Sequence, residues 1–407
     1  MTPTPPNAMS KAEFISLVAM MMATIAFSID AMLPALPEIG AQLSPGDINR
    51  AQLILTSFVL GMGFGTFFTG PLSDAFGRKP VIVAGAVIYI VSAAVAWASS
   101  SLELVLIARV TMGLGAAGPR VVALAIVRDL YSGREMARMM SIAMMIFTLV
   151  PAFAPMLGQG IIIFAGWRGI FAAFALFALV ISLWTMIRLP EPLAVENRRP
   201  FRLPLMLAAV REMIQHPTVR LSILVQTFCL ATLFTMLTMV QQIYDVIFAR
   251  ADSFPFWFGF VALMAGSASV LNAAIVVRVG MRRMVTWSLA AQIFCSGLIL
   301  LLQGTGLPDT LAFGLFVAWQ TSVFFMAGTT LGNLNAMAME PMGHIAGMAA
   351  SVIGAISTVC AAAIAAPIGL LFDGSLLPVA LPILCMSLIS FCTMLHMARV
   401  EKRLIYP

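Results

Sequence analysis

The sequence predicts an all-helical integral membrane protein of twelve transmembrane helices arranged as two six-helix halves. Three observations predict it. Of 407 residues, 61% are hydrophobic and only 10% are charged, whereas a soluble domain carries about 25% charged residues. Mean hydropathy is +1.01, with no stretch that reads as a large soluble domain. The apolar segments are long enough to cross a hydrocarbon core about 30 Å thick at about 1.5 Å of helix rise per residue.

The first segment, Phe14 to Pro37, reads FISLVAMMMATIAFSIDAMLPALP and carries one carboxylate, Asp30. An aspartate near the middle of a spanning helix costs about 2.5–3.5 kcal/mol on insertion scales, so a functional role is expected of it. Pro34 and Pro37 break the helix just past it. Further spans are expected at 52–72, 80–98, 103–127, 138–161 and 167–188, then at 220–244, 255–278, 282–303, 309–335, 346–371 and 377–398. Residues 1–13 read as a Pro-rich polar tail. The first half is 14–188, the linker 189–219, the second half 220–398 and the C-terminal tail 399–407. The linker run LPLMLAAVREMIQH is amphipathic and reads as a surface helix. The turns DAFGRKP and VRVGMRRM both set glycine before a basic pair at corresponding places in the two halves, as an internal repeat would.

Basic residues set the expected orientation. With the N-terminus inside, eighteen lie in inner segments and three (Arg50, Arg168, Arg250) in outer loops, which favours both termini inside. The net charge of +6 therefore reflects this bias and implies no nucleic-acid partner. The five cysteines are scattered through apolar segments and read as small buried hydrophobes, with no disulfide or metal spacing. No nucleophile–base arrangement suggests an enzyme, and neither a catalytic residue nor a metal site is expected.

Arg109 and Arg120 are left inside the membrane. Asp30 lies about 10 Å below the outer end of its helix and Arg109 about 9 Å along the fourth span, a shared depth. A guanidinium there favours the ionised carboxylate, while dehydration favours the neutral one. A site so balanced can change protonation when water enters, the property proton coupling needs. A permanent structural ion pair is the other reading. Arg120, about 16 Å deeper than Arg109, either snorkels to the inner interface or awaits an anionic or zwitterionic ligand. Met112, Gln226, Trp319 and Gln320 are further candidates for a substrate cavity, since unpaired amides in lipid are costly.

The turn GPLSDAFGRKP (Gly70–Pro80) resembles the major facilitator motif between the second and third helices. LIARVTMGLGAA resembles the fourth-helix arginine motif of proton-driven facilitators, and LVPAFAPMLGQG the fifth-helix antiporter motif. SIDAMLPALPEI, RDLYSGREMARMMS and NAMAMEPMGHIAGMAAS resemble the Bcr/CflA group of bacterial drug exporters. The resemblance implies the major facilitator fold and a proton-coupled drug antiporter of the inner membrane. No cofactor is implied beyond the proton gradient as energy source. Expected partners are a small-molecule substrate, protons and the lipid bilayer, with the chain a monomer. Asp74, Gly77, Arg78 and Lys79 would form a conformational latch, with Arg78 pairing Asp129 and Asp74 facing a neighbouring helix N-terminus. Asp30 and Arg109 would couple protons, and Pro151, Pro155 and Gly158 would shape the fifth helix where the halves meet. Met112 stands where the fourth-helix motif usually has a polar residue, and Gln159 where the antiporter motif has glycine. A symporter for a small anionic or zwitterionic metabolite is the alternative, and a non-transporting sensor a third.

Overall fold

A computed structural model describes residues 9–405. Residues 1–8 of the expected N-terminal tail and residues 406–407 lie outside the described residues. The helices are α1 (Lys11–Asp30), α2 (Leu36–Leu43), α3 (Leu53–Phe76), α4 (Arg78–Ala98), α5 (Leu102–Leu130), α6 (Gly133–Arg188), α7 (Leu203–Gln215), α8 (Pro217–Gln242), α9 (Phe254–Val279), α10 (Met281–Leu302), α11 (Asp309–Met339), α12 (Ala346–Gly369) and α13 (Leu377–Ile405).

Local chemistry sets the boundaries. Ser10 caps α1, its hydroxyl accepting from the Glu13 N–H at 3.1 Å, so a donor with no partner inside the helix is satisfied. At the other end Pro34 and Pro37 supply no N–H, and the chain passes through a 3₁₀ turn (Leu33–Ala35) into α2. Between α3 and α4 the chain turns at Gly77, whose φ of 103° suits glycine.

Ten helical runs among the described residues are long and apolar enough to cross a membrane, where twelve spans were expected. Two runs account for the difference. One, Gly133–Arg188, has 56 residues and the other, Asp309–Gly369, has 61, each about twice the length a bilayer needs. The first breaks at Gly166, the second at the 3₁₀ stretch Glu340–Ile345.

Polar contacts at the helix ends sort the bundle into two ends. At the termini end, Lys11 pairs with Glu135, Arg188 donates to Glu13 at 2.7 Å and Arg78 to Asp129 at 2.7 Å. At the far end, Arg50 donates to Glu103 at 2.9 Å, Trp167 to Gln42 at 2.8 Å and Arg168 to the Ser99 carbonyl at 2.9 Å.

The two ends differ in how the halves meet. At the far end one apolar core is continuous across both, running from Phe58, Phe171 and Phe174 to Phe234, Tyr244 and Phe316. The Asn49 amide donates to the carbonyls of Phe372 (2.8 Å) and Leu370 (3.3 Å) there, Gln52 bonds Gln242, and Gln242 donates to Asn49 at 3.1 Å. Toward the termini end the cores separate. Phe14, Leu17, Val122 and Ile126 form one cluster within the first half, and Val225, Leu289, Leu334 and Met394 form another within the second. The α3–α12 seam stays packed along its length, with Gly63 against Val359 and Gly70 against Ser351.

The linker is laced to the first half before it reaches the second. The Glu191 carboxylate accepts from the N–H groups of Arg78 (2.8 Å) and Lys79 (2.9 Å), and the Arg199 N–H donates to the Asp74 carbonyl at 2.9 Å. Helix α7 then buries Met213 in a cluster with Ile223 and Ile353 of the second half. Side chains such as Phe164, Val277 and Leu301 are exposed on the flanks, as a lipid-facing surface requires. Of the cysteines, Cys229 is buried, but Cys360, Cys385 and Cys392 are exposed, so for those three the expected burial is corrected.

Candidate functional site

Arg109 is fully buried in α5. Its Nε donates to the Ile54 carbonyl at 3.2 Å and its Nη2 to the Ser28 carbonyl at 2.9 Å. The Phe58 ring lies 4.3 Å from its Cζ, within cation–π range. Its Nη1 has no partner among the described residues. The peptide it grips is fixed on the other side as well. The Ser28 hydroxyl donates to the Thr24 carbonyl at 2.6 Å and lies 2.5 Å from the Tyr89 hydroxyl.

Two residues beyond that carbonyl, Asp30 ends α1. It is buried, 5% exposed. The carboxylate makes no ion pair or hydrogen bond among the described residues. The expected Asp30–Arg109 contact is therefore corrected: the two share a level of the bundle, but the arginine spends its donors on backbone carbonyls of α1 and α3. Carbonyl acceptors satisfy a buried guanidinium's N–H groups, and they link Arg109 to the acid through its own helix.

Gly158 completes the site from α6. A Cβ there would lie 2.1 Å from the Ala31 carbonyl oxygen, so only glycine lets α6 abut the peptide immediately after Asp30. This corrects the expectation that Gly158 packs where the halves meet. That contact falls to Ala152, whose carbonyl approaches Gly259 of α9 so closely that a Cβ there would lie 2.5 Å away. Pro151 and Pro155 lie within the same helix.

At the termini end Arg78 gathers the turn. Its Nε donates to Asp129 at 2.7 Å, and its Nη1 to Asp74 at 2.5 Å and to the Ser73 hydroxyl at 2.7 Å. Asp74 thus pairs with Arg78 in place of the expected neighbouring helix N-terminus. The carboxylate that does sit on helix N–H groups is Glu191, at the start of α4, where the helix dipole favours negative charge. The Lys79 ammonium bonds the Met186 carbonyl at 2.6 Å.

The five residues expected to line a substrate cavity divide. Met112 is fully buried in the far-end core. Trp319 donates to Ser296 at 3.0 Å, and Gln320 accepts from the Tyr244 hydroxyl at 2.9 Å, both inside the second half. These three are sealed in packing. Among the described residues, half-buried Arg120 has no hydrogen bond or ion pair, and Gln226, 7% exposed, has its Oε1 unpartnered. Sequence reasoning missed Tyr89, Ser28 and Glu191, whose types are common and whose partners are backbone groups or distant in the chain. It also missed the Asn49–Gln52–Gln242 cluster, which joins residues nearly 200 positions apart.

A multi-pass helical bundle with a buried acid at a helix break and separated cores at one end is the architecture of a membrane transporter. The sequence profile of the Major Facilitator Superfamily matches residues 16–370, and the chain belongs to that family. It is 32% identical over 316 residues to a bicyclomycin resistance protein homolog of Haemophilus influenzae, covering 77% of each chain. A chloramphenicol resistance protein of Pseudomonas aeruginosa is 37% identical over 145 residues, 35% of this chain and 34% of that one. Among solved structures, a D-xylose–proton symporter superposes with a TM-score of 0.74 at 15% identity, covering 95% of this chain and 97% of that one. At that identity the likeness is one of fold.

Proposed function

We propose that the protein is a proton-driven antiporter that exports small hydrophobic or amphiphilic molecules, drugs among them, across the bacterial inner membrane as a monomer. The basic residues of the inner segments orient it with both termini in the cytoplasm. The termini end, where the cores separate, then faces the cytoplasm, and the far end faces the periplasm. The observation that carries the coupling is Asp30: a buried acid with no cationic partner, held at a helix break between Arg109's grip on Ser28 and the close approach of Gly158. An ionised carboxylate left there dry and unpaired would be costly, so it exchanges its proton when water reaches it. Rocking of the halves would expose Asp30 to each side in turn, with the far-end cluster favouring one state across the halves and the Arg78–Asp129–Asp74 latch doing so from within the first half. The names of the relatives support drug export.

In proteoliposomes with an imposed pH gradient, substrate should move against the proton flow. Asp30→Asn should abolish gradient-driven movement while leaving substrate binding intact. Undiminished coupling in Asp30→Asn overturns the reading. Substrate and protons moving in the same direction would favour the symporter, which the unpaired Arg120 makes the second reading.

A further inference from the structure

Arg120 lies on the same face of α5 as Arg109. Eleven residues at about 100° each complete three turns with about 20° to spare, and carry Arg120 about 16 Å toward the termini end. There the likeness stops. Arg109 is sealed and bonded to carbonyls, whereas Arg120 makes no hydrogen bond, ion pair or ring contact among the described residues. It is half-buried, and its nitrogens are not among the polar atoms closed off from solvent. Ten residues, about 15 Å of helix, separate it from Leu130 at the end of α5, too far for the side chain to reach that end. A cation inside a spanning segment that pairs with no group of the protein marks a substrate or ion path.

A second polar side chain stands at a similar depth in the other half. Gln226 lies nine residues into α8, about 14 Å from the termini end. It is buried, yet its carboxamide makes no hydrogen bond among the described residues, and its Oε1 is closed off without a partner. Leaving such a group unpaired costs about 1–3 kcal/mol. At this level the first-half core around Val122 and Ile126 and the second-half core around Val225 are separate clusters. Two unpartnered polar groups thus occur at one level of the region where the cores of the halves part.

We infer that Arg120 is the anion-recognising residue of the transport path, aided by Gln226, and that the substrates carry a carboxylate or comparable oxyanion on an apolar body. A guanidinium presents a planar fork of donors that matches such a group, and the Gln226 amide adds a polar contact from the opposite half. The apolar body would lie where the cores of the two halves part. This deepens the proposed function and rests on it, since it names the substrate class of that same path.

The test uses the full-length protein in nanodiscs and three matched probes: 1-naphthoate, its methyl ester and 1-naphthylmethylammonium. Equilibrium dialysis should find the carboxylate bound at least tenfold tighter than the other two. Arg120→Gln should erase that preference, Arg120→Lys should keep part of it, and Gln226→Leu should weaken naphthoate binding a few-fold. Ester binding unchanged across the variants shows that they remain folded. The inference is overturned if naphthoate does not bind, if the ester or ammonium binds as tightly, or if the preference survives Arg120→Gln. Proton flux in proteoliposomes separates this failure from failure of the coupling reading. Binding preference without naphthoate-driven flux defeats the coupling and leaves the anion site. Flux driven by the ammonium or ester and not by the acid does the reverse.

Discussion

The far end and the termini end of the bundle are built from similar residues and do opposite things. At the far end the halves share one core, and amides of the turn just before α3 and of the end of α8 bond each other, while Asn49 also reaches the carbonyls of Leu370 and Phe372. At the termini end each half closes its own core, and the strong polar contacts, Arg78–Asp129 and Arg188–Glu13, stay within the first half. The two arginines of α5 mirror the contrast: one is bonded into packing, the other is bare. The difference teaches that a membrane-embedded charge is explained by its partners and its level, and not by its type.

Matched substitutions at the two ends would break or sharpen that contrast. Arg109→Ala should have the largest effect. It strips the donors from two buried carbonyls and leaves a void, a loss of roughly 3–5 kcal/mol, read as a marked fall in thermal unfolding temperature and in folded yield. Gly158→Val should come next, since its Cβ would enter the Ala31 carbonyl. Overpacking of this kind costs about 1–3 kcal/mol, and a shift of the end of α1 should impair proton coupling more than substrate binding.

Gln242→Leu should cost about 1 kcal/mol for each far-end hydrogen bond removed. A change of that size shifts a two-state ratio about fivefold. Spin labels at the exposed positions Ile48 and Val246 should then report a larger fraction with the far end open. Unaltered distances would show that the apolar core alone holds that end. The smallest effect belongs to the termini end: Arg120→Gln should change stability by no more than about 0.5 kcal/mol. A drop comparable to that of Arg109→Ala would show that Arg120 is bonded after all.

The fold was legible because lipid writes it in composition: long apolar runs and asymmetric arginines need no tertiary knowledge to read. The two doubled runs were legible too, since Gly166 stands at the first break and Pro341 and Gly343 in the second. Half of the site could be read in the same way. Asp30 and Arg109 are rare residue types in a span, and helical rise places them at one level. Their failure to pair was not legible, because the acceptors Arg109 uses are the carbonyls of Ser28 and Ile54, and every residue carries a carbonyl. Met112, Trp319 and Gln320 were misplaced for a related reason. Twelve helices offer each side chain several neighbours, and periodicity within one helix does not say which of them closes over it. Glu191 was hidden by its place in a polar linker, where a carboxylate looks like ordinary solvated chain.

The linker contacts have a mechanical consequence. The connecting chain is moored to the first half as far as Arg199 and to the second through Val210 and Met213 of α7. Ten residues, 200–209, lie between the moorings, about 35 Å if pulled straight. While both moorings hold, the halves can tilt or slide past one another only within that length. A wider excursion must first release the Arg199 N–H from the Asp74 carbonyl or lift α7 from its berth.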